Sequence, residues 1–164
     1  MIVLALDLAR QTGWAAGAPC DDPVYGTFKL DAPSVPSTFL QLGRIVADLI
    51  RQHGATQLVL EDPYVGRDSR VSSLMPLFGY RAAAMMAGES KGLLVFTSTP
   101  STVRKHFLGT GGGKRADAKR AVLDKCRWRG WDPRTEDEAD ALALWDHRCA
   151  CLSPEHLVMG MRKG

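Results

Sequence analysis

The sequence predicts an α/β fold, a mixed five-stranded sheet with three antiparallel and two parallel strands flanked by helices. Three observations predict it. The first thirty residues hold three short apolar runs separated by glycine and proline, as in strands joined by tight turns. Two later strand-like runs are each preceded by a stretch with helical periodicity, and strands joined by crossover helices run parallel. A chain of 164 residues with 45% apolar and 24% charged residues can bury a core, so disorder and coiled coil are excluded and residues 1–164 are expected to form a single domain.

In order, residues 2–7, 12–16 and 24–30 read as the hairpin-linked strands. From 37 to 53, Phe39, Leu42, Ile45, Val46, Leu49 and Ile50 recur at helical spacing and Gly54 supplies a stop. Residues 57–60 form a fourth strand closed by Glu61, and 62–72, polar and containing Pro63 and Gly66, read as a loop. An Ala- and Met-rich helix follows over 73–87, then a fifth strand over 93–97 and a short helix from Pro100 to Phe107. Gly109, Gly111, Gly112 and Gly113 make a loop before helices over 115–128 and 136–148. Residues 152–164 carry too little periodicity to assign and are expected to form a loosely ordered tail.

Cys20, Cys126, Cys149 and Cys151 follow no disulfide framework, which points to a reducing compartment. Asp7 ends the first apolar run too early for a signal peptide, and no stretch approaches the ~18 uncharged apolar residues of a membrane span. The expectation is a cytoplasmic protein without a membrane partner.

Asp7 and Glu61 each end an aliphatic run that would lie inside the sheet. If their strands are parallel neighbours, both carboxylates emerge at one edge, and like charges so placed call for protonation or a shared cation. Asp137 and Asp140, three residues apart on a helix, share a face. Both are also acids that a helix N-terminus favours, but Ala139, Ala141, Leu142, Ala143 and Leu144 make the surroundings apolar, where an unpaired carboxylate is costly. Hard oxygen ligands suit Mg²⁺ or Mn²⁺, and two such ions ~4 Å apart promote phosphodiester hydrolysis.

Charge is segregated nearby. Residues 101–131 hold nine Lys or Arg against Asp117 and Asp124, a net of +7, whereas 132–146 hold six acids against Arg134, a net of −5. Cations that bind backbone phosphates beside carboxylates that hold metal are what a nuclease needs, although a basic run is also what a solvated helix face looks like. The glycine loop is no P-loop, since Leu108 stands where the first glycine is required and Arg115 follows Lys114. It instead suits close approach to a phosphate backbone, with Lys114, Arg115, Lys119 and Arg120 at hand. Tyr64, with Arg67 and Arg70 after it, can stack on or wedge between bases, and can equally pack over the sheet edge. His147 reads as a histidine near a helix C-terminus, and Cys149 and Cys151 with His147 and His156 lack the second pair that a zinc site requires.

Leu4-Ala5-Leu6-Asp7-Leu8 with Thr12-Gly13-Trp14-Ala15, Glu61 after Leu58-Val59-Leu60, the 109–120 loop and helix, and Asp137-Glu138-Ala139-Asp140-Ala141-Leu142-Ala143 together resemble the RuvC family of Holliday junction resolvases over nearly the whole chain. The resemblance implies an RNase H-like fold and a homodimer that cuts opposed strands of a four-way DNA junction with Mg²⁺ or Mn²⁺. It places metal ligation on Asp7, Glu61, Asp137 and Asp140, the catalytic lysine on Lys119 with Lys114 second, and the junction-probing aromatic on Tyr64. It also implies dimerisation through the helix over 73–87, with Met75, Leu77, Phe78, Met85 and Met86 as a seam; the same residues could instead pack on the sheet. The chain departs from the family in Leu8-Ala9, where Pro-Gly is usual, and in Asp62-Pro63 and Arg67-Asp68-Ser69-Arg70 after the glutamate, variation that would suit a phage or prophage-type member. The alternatives are an RNase H-like nuclease acting on other branched DNA or an RNA–DNA hybrid, and a module that binds branched DNA without cutting it.

Overall fold

The computed structural model describes residues 1–63, 71–109 and 115–156. Strands β1 (Val3–Asp7), β2 (Gln11–Gly17) and β3 (Val24–Lys29) form an antiparallel meander. Strands β4 (Gln57–Glu61) and β5 (Leu94–Ser98) extend it in parallel from the other side of β1, giving the order β3-β2-β1-β4-β5. The expected mixed sheet is therefore present, with the antiparallel and parallel halves sharing β1.

Helices α1 (Val35–His53) and α2 (Val71–Ser90) cover one face; α3 (Pro100–Leu108), α4 (Arg115–Trp128) and α5 (Glu136–Leu152) cover the other. Both faces of β1 and β4 are thus dry, which explains why these strands read as unbroken aliphatic runs rather than as alternating ones. The pleat divides their side chains between two cores. Leu4, Leu6, Leu58 and Leu60 pack with Leu42, Val46 and Ala84 under α1 and α2. Val3, Ala5 and Val59 pack with Val103, Phe107, Leu142 and Trp145 under α3 to α5.

Three helices differ from the sequence reading by two residues or more at an end. Helix α1 starts two residues early because the Ser34 side chain accepts from the Ser37 N–H and Pro36 sits in the first turn, where its missing N–H costs nothing. Helix α2 runs from Val71 to Ser90 with Pro76 inside it, longer at both ends than its apolar stretch. Helix α5 continues to Leu152, which packs against the core, and His156 beyond it is buried. Within the stretch 152–164 expected as a loose tail, Leu152 is helical and His156 Nδ1 accepts from the Cys20 N–H at 2.9 Å, while 157–164 lie outside the described residues.

Candidate active site

Asp7 and Glu61 are the last residues of β1 and β4, and the parallel register that sets Leu6 beside Leu60 brings both strand ends to the same sheet edge. Asp7 and Glu61 follow the parity of Ala5 and Val59, so both carboxylates face α5. On its other side Asp7 pairs with Gly13 of β2. A Cβ at Gly13 would overlap the Asp137 carbonyl, so the missing side chain lets the first turn of α5 lie directly on β2. Thr135 caps this turn, its side chain accepting from the Glu138 N–H at 3.1 Å. Gln11 Nε2 donates to Asp137 Oδ2 at 2.9 Å, a second tie between α5 and the start of β2.

The four acids form one electrostatic cluster. Burial pushes the Asp7 carboxyl well above the usual carboxylate range, and the charges of Glu61, Asp140 and Asp137 push it further, with Lys119 opposing. Asp140 is also raised by burial, against which Lys119 and Arg104 act, while Asp137 and Glu136 add to the rise. Lys119 is fixed by an ion pair from Nζ to Glu136 Oε2 at 2.6 Å.

Hard carboxylate oxygens held together despite mutual repulsion match the donor chemistry of Mg²⁺ or Mn²⁺. Among the described residues, no three His, Cys, Asp or Glu side chains stand as a closed coordination shell, and Asp137 is turned to Gln11. The residues present fit a divalent ion by donor type and charge.

Of the other expected site residues, Arg115 begins α4 and Arg120 is exposed on it, whereas Tyr64, Arg67, Arg70 and Lys114 lie outside the described residues. Two residues escaped the sequence reading, one at the acidic cluster and one apart from it. Arg104 was counted there only as part of a basic run, yet its charge reaches Asp140. The signal was its place in the chain: β5 is parallel to β4, so α3 starts at the edge that carries Glu61.

Asp146 is the other. It is buried and receives bonds from His106 Nε2 (2.9 Å), His156 Nε2 (2.9 Å) and Arg129 (2.5 Å), uniting α3, the α4–α5 connection and the segment after α5. Burial alone would raise its carboxyl, but the bonds from His106 and His156 and the Arg129 charge outweigh that and hold it at about 2. His147 lies against the His106 ring at 5.2 Å and has Ser98 Oγ at 3.4 Å from Nδ1, while Cys149 is buried and Cys151 exposed.

The family model described as crossover junction endodeoxyribonuclease RuvC matches residues 15–145. The chain belongs to the RuvC family. Glu61, Lys119, Asp137 and Asp140 lie inside the matched stretch, and Asp7 precedes it. A RuvC of Pseudomonas aeruginosa is 31% identical over 122 residues, covering 74% of this chain and 69% of the relative. A RuvC of Gluconobacter oxydans is 31% identical over 130 residues, covering 79% and 75%. In structure the chain is similar to Thermus thermophilus RuvC solved in complex with a Holliday junction substrate, with a TM-score of 0.72 and 16% identity over 93% of this chain and 95% of that one. That likeness establishes the shared fold, and RuvC membership makes the chain one of a family of metal-dependent endonucleases.

Proposed function

We propose that this RuvC-family chain resolves four-way DNA junctions by metal-dependent phosphodiester hydrolysis, with Asp7, Glu61, Asp137 and Asp140 as the ligands of Mg²⁺ or Mn²⁺. The observation that carries this reading is the meeting of two neighbouring parallel strand ends, each closed by a carboxylate, with the acidic first turns of α5. Divalent ions bound there would supply Lewis acidity at the attacking and departing oxygens.

The chain's own residues do the rest. The four carboxylates hold a concentrated negative charge that favours cations over further anions. Lys119, with Arg104 beside Asp140, offers positive charge to the scissile phosphate, and Lys119 acts as the catalytic lysine. Arg115 and Arg120 on α4, with Lys114, Arg67 and Arg70, bind the flanking backbone, and Tyr64 engages bases at the branch.

A homodimer is favoured by α2, on whose surface Met75, Phe78 and Met86 are exposed. Leu77 and Met85 of the expected seam pack instead against the core, so the helix divides that seam between sheet and surface. Free thiols at Cys20, Cys126, Cys149 and Cys151 suit a cytoplasmic setting, and among the described residues no helix is long and apolar enough to cross a membrane.

The deciding experiment compares cleavage of a four-way junction, an RNA–DNA hybrid and a linear duplex with and without Mg²⁺ or Mn²⁺. Metal-dependent cutting of the junction alone supports the proposal. Preference for the hybrid, or junction binding without cutting at any metal concentration, overturns it.

A further inference from the structure

Two acids stand side by side at the end of β4, and they are treated differently. Glu61 follows Val59 onto the α5 face, whereas Asp62 continues the parity of Leu58 and Leu60, whose side chains lie under α1 and α2. On that face the Asp62 carboxylate is paired with Arg81 of α2, both side chains about three quarters buried, at 29% and 24% exposure. The backbone of Asp62 is tied as well, its N–H donating to the Ser98 carbonyl at 2.9 Å and carrying the β4–β5 pairing one residue past Glu61. Arg81 rises from a fixed stretch of α2: Tyr80 and Ala84 are buried, and the Tyr80 ring meets Phe39 edge-on at 5.5 Å.

We infer that Arg81 is a positioning residue for the metal centre: by capturing Asp62 on the α2 face, it determines that Glu61, and not its neighbour, faces the ions. The inference rests on the reading of Glu61 as a metal ligand. The physical basis is anchoring: with either partner of the ion pair gone, the strand end loses the tie that keeps Glu61 aimed at the α5 face. Without the guanidinium, Asp62 is a largely buried anion lacking its ion-pair partner, one peptide away from a site that attracts cations. A turn of the Glu61–Asp62 peptide would then offer either acid to the metal, and the strand end would no longer have one preferred orientation. With Arg81 in place, that rotation costs an ion pair and the hydrogen bond to β5. Arg81 therefore acts on the ions through Asp62 and Glu61, touching neither substrate nor metal.

The test uses the full chain and four variants, Arg81→Gln, Asp62→Asn, their double, and Glu61→Gln. The readouts are Mn²⁺ affinity of the free protein by electron paramagnetic resonance, junction affinity without divalent metal, and junction cleavage. Removing a group that orients a metal ligand commonly costs roughly 10- to 100-fold in metal affinity. Each single variant is expected to lose about tenfold in Mn²⁺ affinity by that measure. The double is expected to lose no more than either single, because both break one interaction. Junction affinity without metal is expected to stay at the wild-type value.

Unchanged Mn²⁺ affinity in both singles, or additive losses in the double, overturns the inference. A fall in junction affinity confined to Arg81→Gln also overturns it, by making Arg81 a phosphate contact. If Arg81→Gln loosens the fold, Arg81→Lys keeps a cation on the same stem and is expected to recover most of the Mn²⁺ affinity; failure to do so in a folded protein counts against the role. Glu61→Gln that still binds Mn²⁺ and cuts would sink the metal-site reading itself, separately from any result at Arg81.

Discussion

The carbonyl of Asp137 occupies the space into which any side chain at Gly13 would project. Because Gly13 pairs with Asp7, this one close approach sets the distance between the first strand and the acidic helix, which are far apart in the chain. Gly13→Ala is expected to destabilise the protein by roughly 1–3 kcal/mol, the usual cost of overpacking. It should lower cleavage more than stability, because α5 must lift to admit the methyl group. Gly43→Ala is the control. Its Cβ would meet only the Ala83 carbonyl at 3.9 Å, so within α1 it should gain roughly 0.5–1 kcal/mol. Denaturant melts and cleavage rates of both variants check the pair.

Asp7→Asn is expected to retain junction binding and to lose cleavage. It should also stabilise the metal-free protein. The folded carboxyl is held above its unfolded value, so ionising it opposes folding, and that penalty is relieved as pH falls through the raised value. Removing the charge removes the penalty. An Asp7→Asn protein that still cuts DNA contradicts the site assignment, and one less stable than wild type without metal contradicts the electrostatic account.

Divalent metal should raise the melting temperature of the wild-type protein. A ligand at about one hundred times its Kd adds about 2.7 kcal/mol when it binds only the folded state. Thermal melts with and without Mn²⁺ should show this shift in the wild type and little of it in Glu61→Gln.

Asp146 predicts the opposite pH behaviour from Asp7. Its folded value is about 2 against an ordinary 3.8, so it stabilises the fold above pH 3.8, and that contribution is lost as pH falls from there towards 2. The difference corresponds to about 2 kcal/mol. Asp146→Asn leaves the Arg129 cation without its partner and is expected to cost roughly 3–5 kcal/mol at neutral pH. The loss of stability between pH 4 and 2 should be shallower in that variant than in wild type, as acid titration followed by circular dichroism would show.

Phe78→Asp on the outer surface of α2 should convert a dimer to a monomer with little change in the protomer's secondary structure. Sedimentation velocity gives the mass directly. An unchanged dimer would place the interface elsewhere.

The sheet and the four acids were legible because an aliphatic run closed by a carboxylate is a local pattern, and β1 and β4 each carry it. The acidic start of α5 was legible for the same reason. What escaped depends on distance in the chain. Asp146 meets partners 40, 17 and 10 residues away, and nothing in its neighbours announces them. Helix α2 is apolar nearly all round, so spacing could not tell Met75 and Phe78, which reach the surface, from Leu77 and Met85, which reach the core. Pro36 and Ser34 did hold the signal for the early start of α1, which the apolar periodicity alone obscured.

Helix α5 closes one whole layer of the molecule, and it is made late. While the ribosome is still adding residues before 136, the side of the sheet carrying Val3, Ala5 and Val59 lacks its largest cover, although α1 and α2 can already shelter the other side. A stalled or clipped product therefore exposes a sticky apolar surface and has only half of the acidic cluster. Completion of the acidic cluster and burial of that surface arrive in a single event, the docking of one helix.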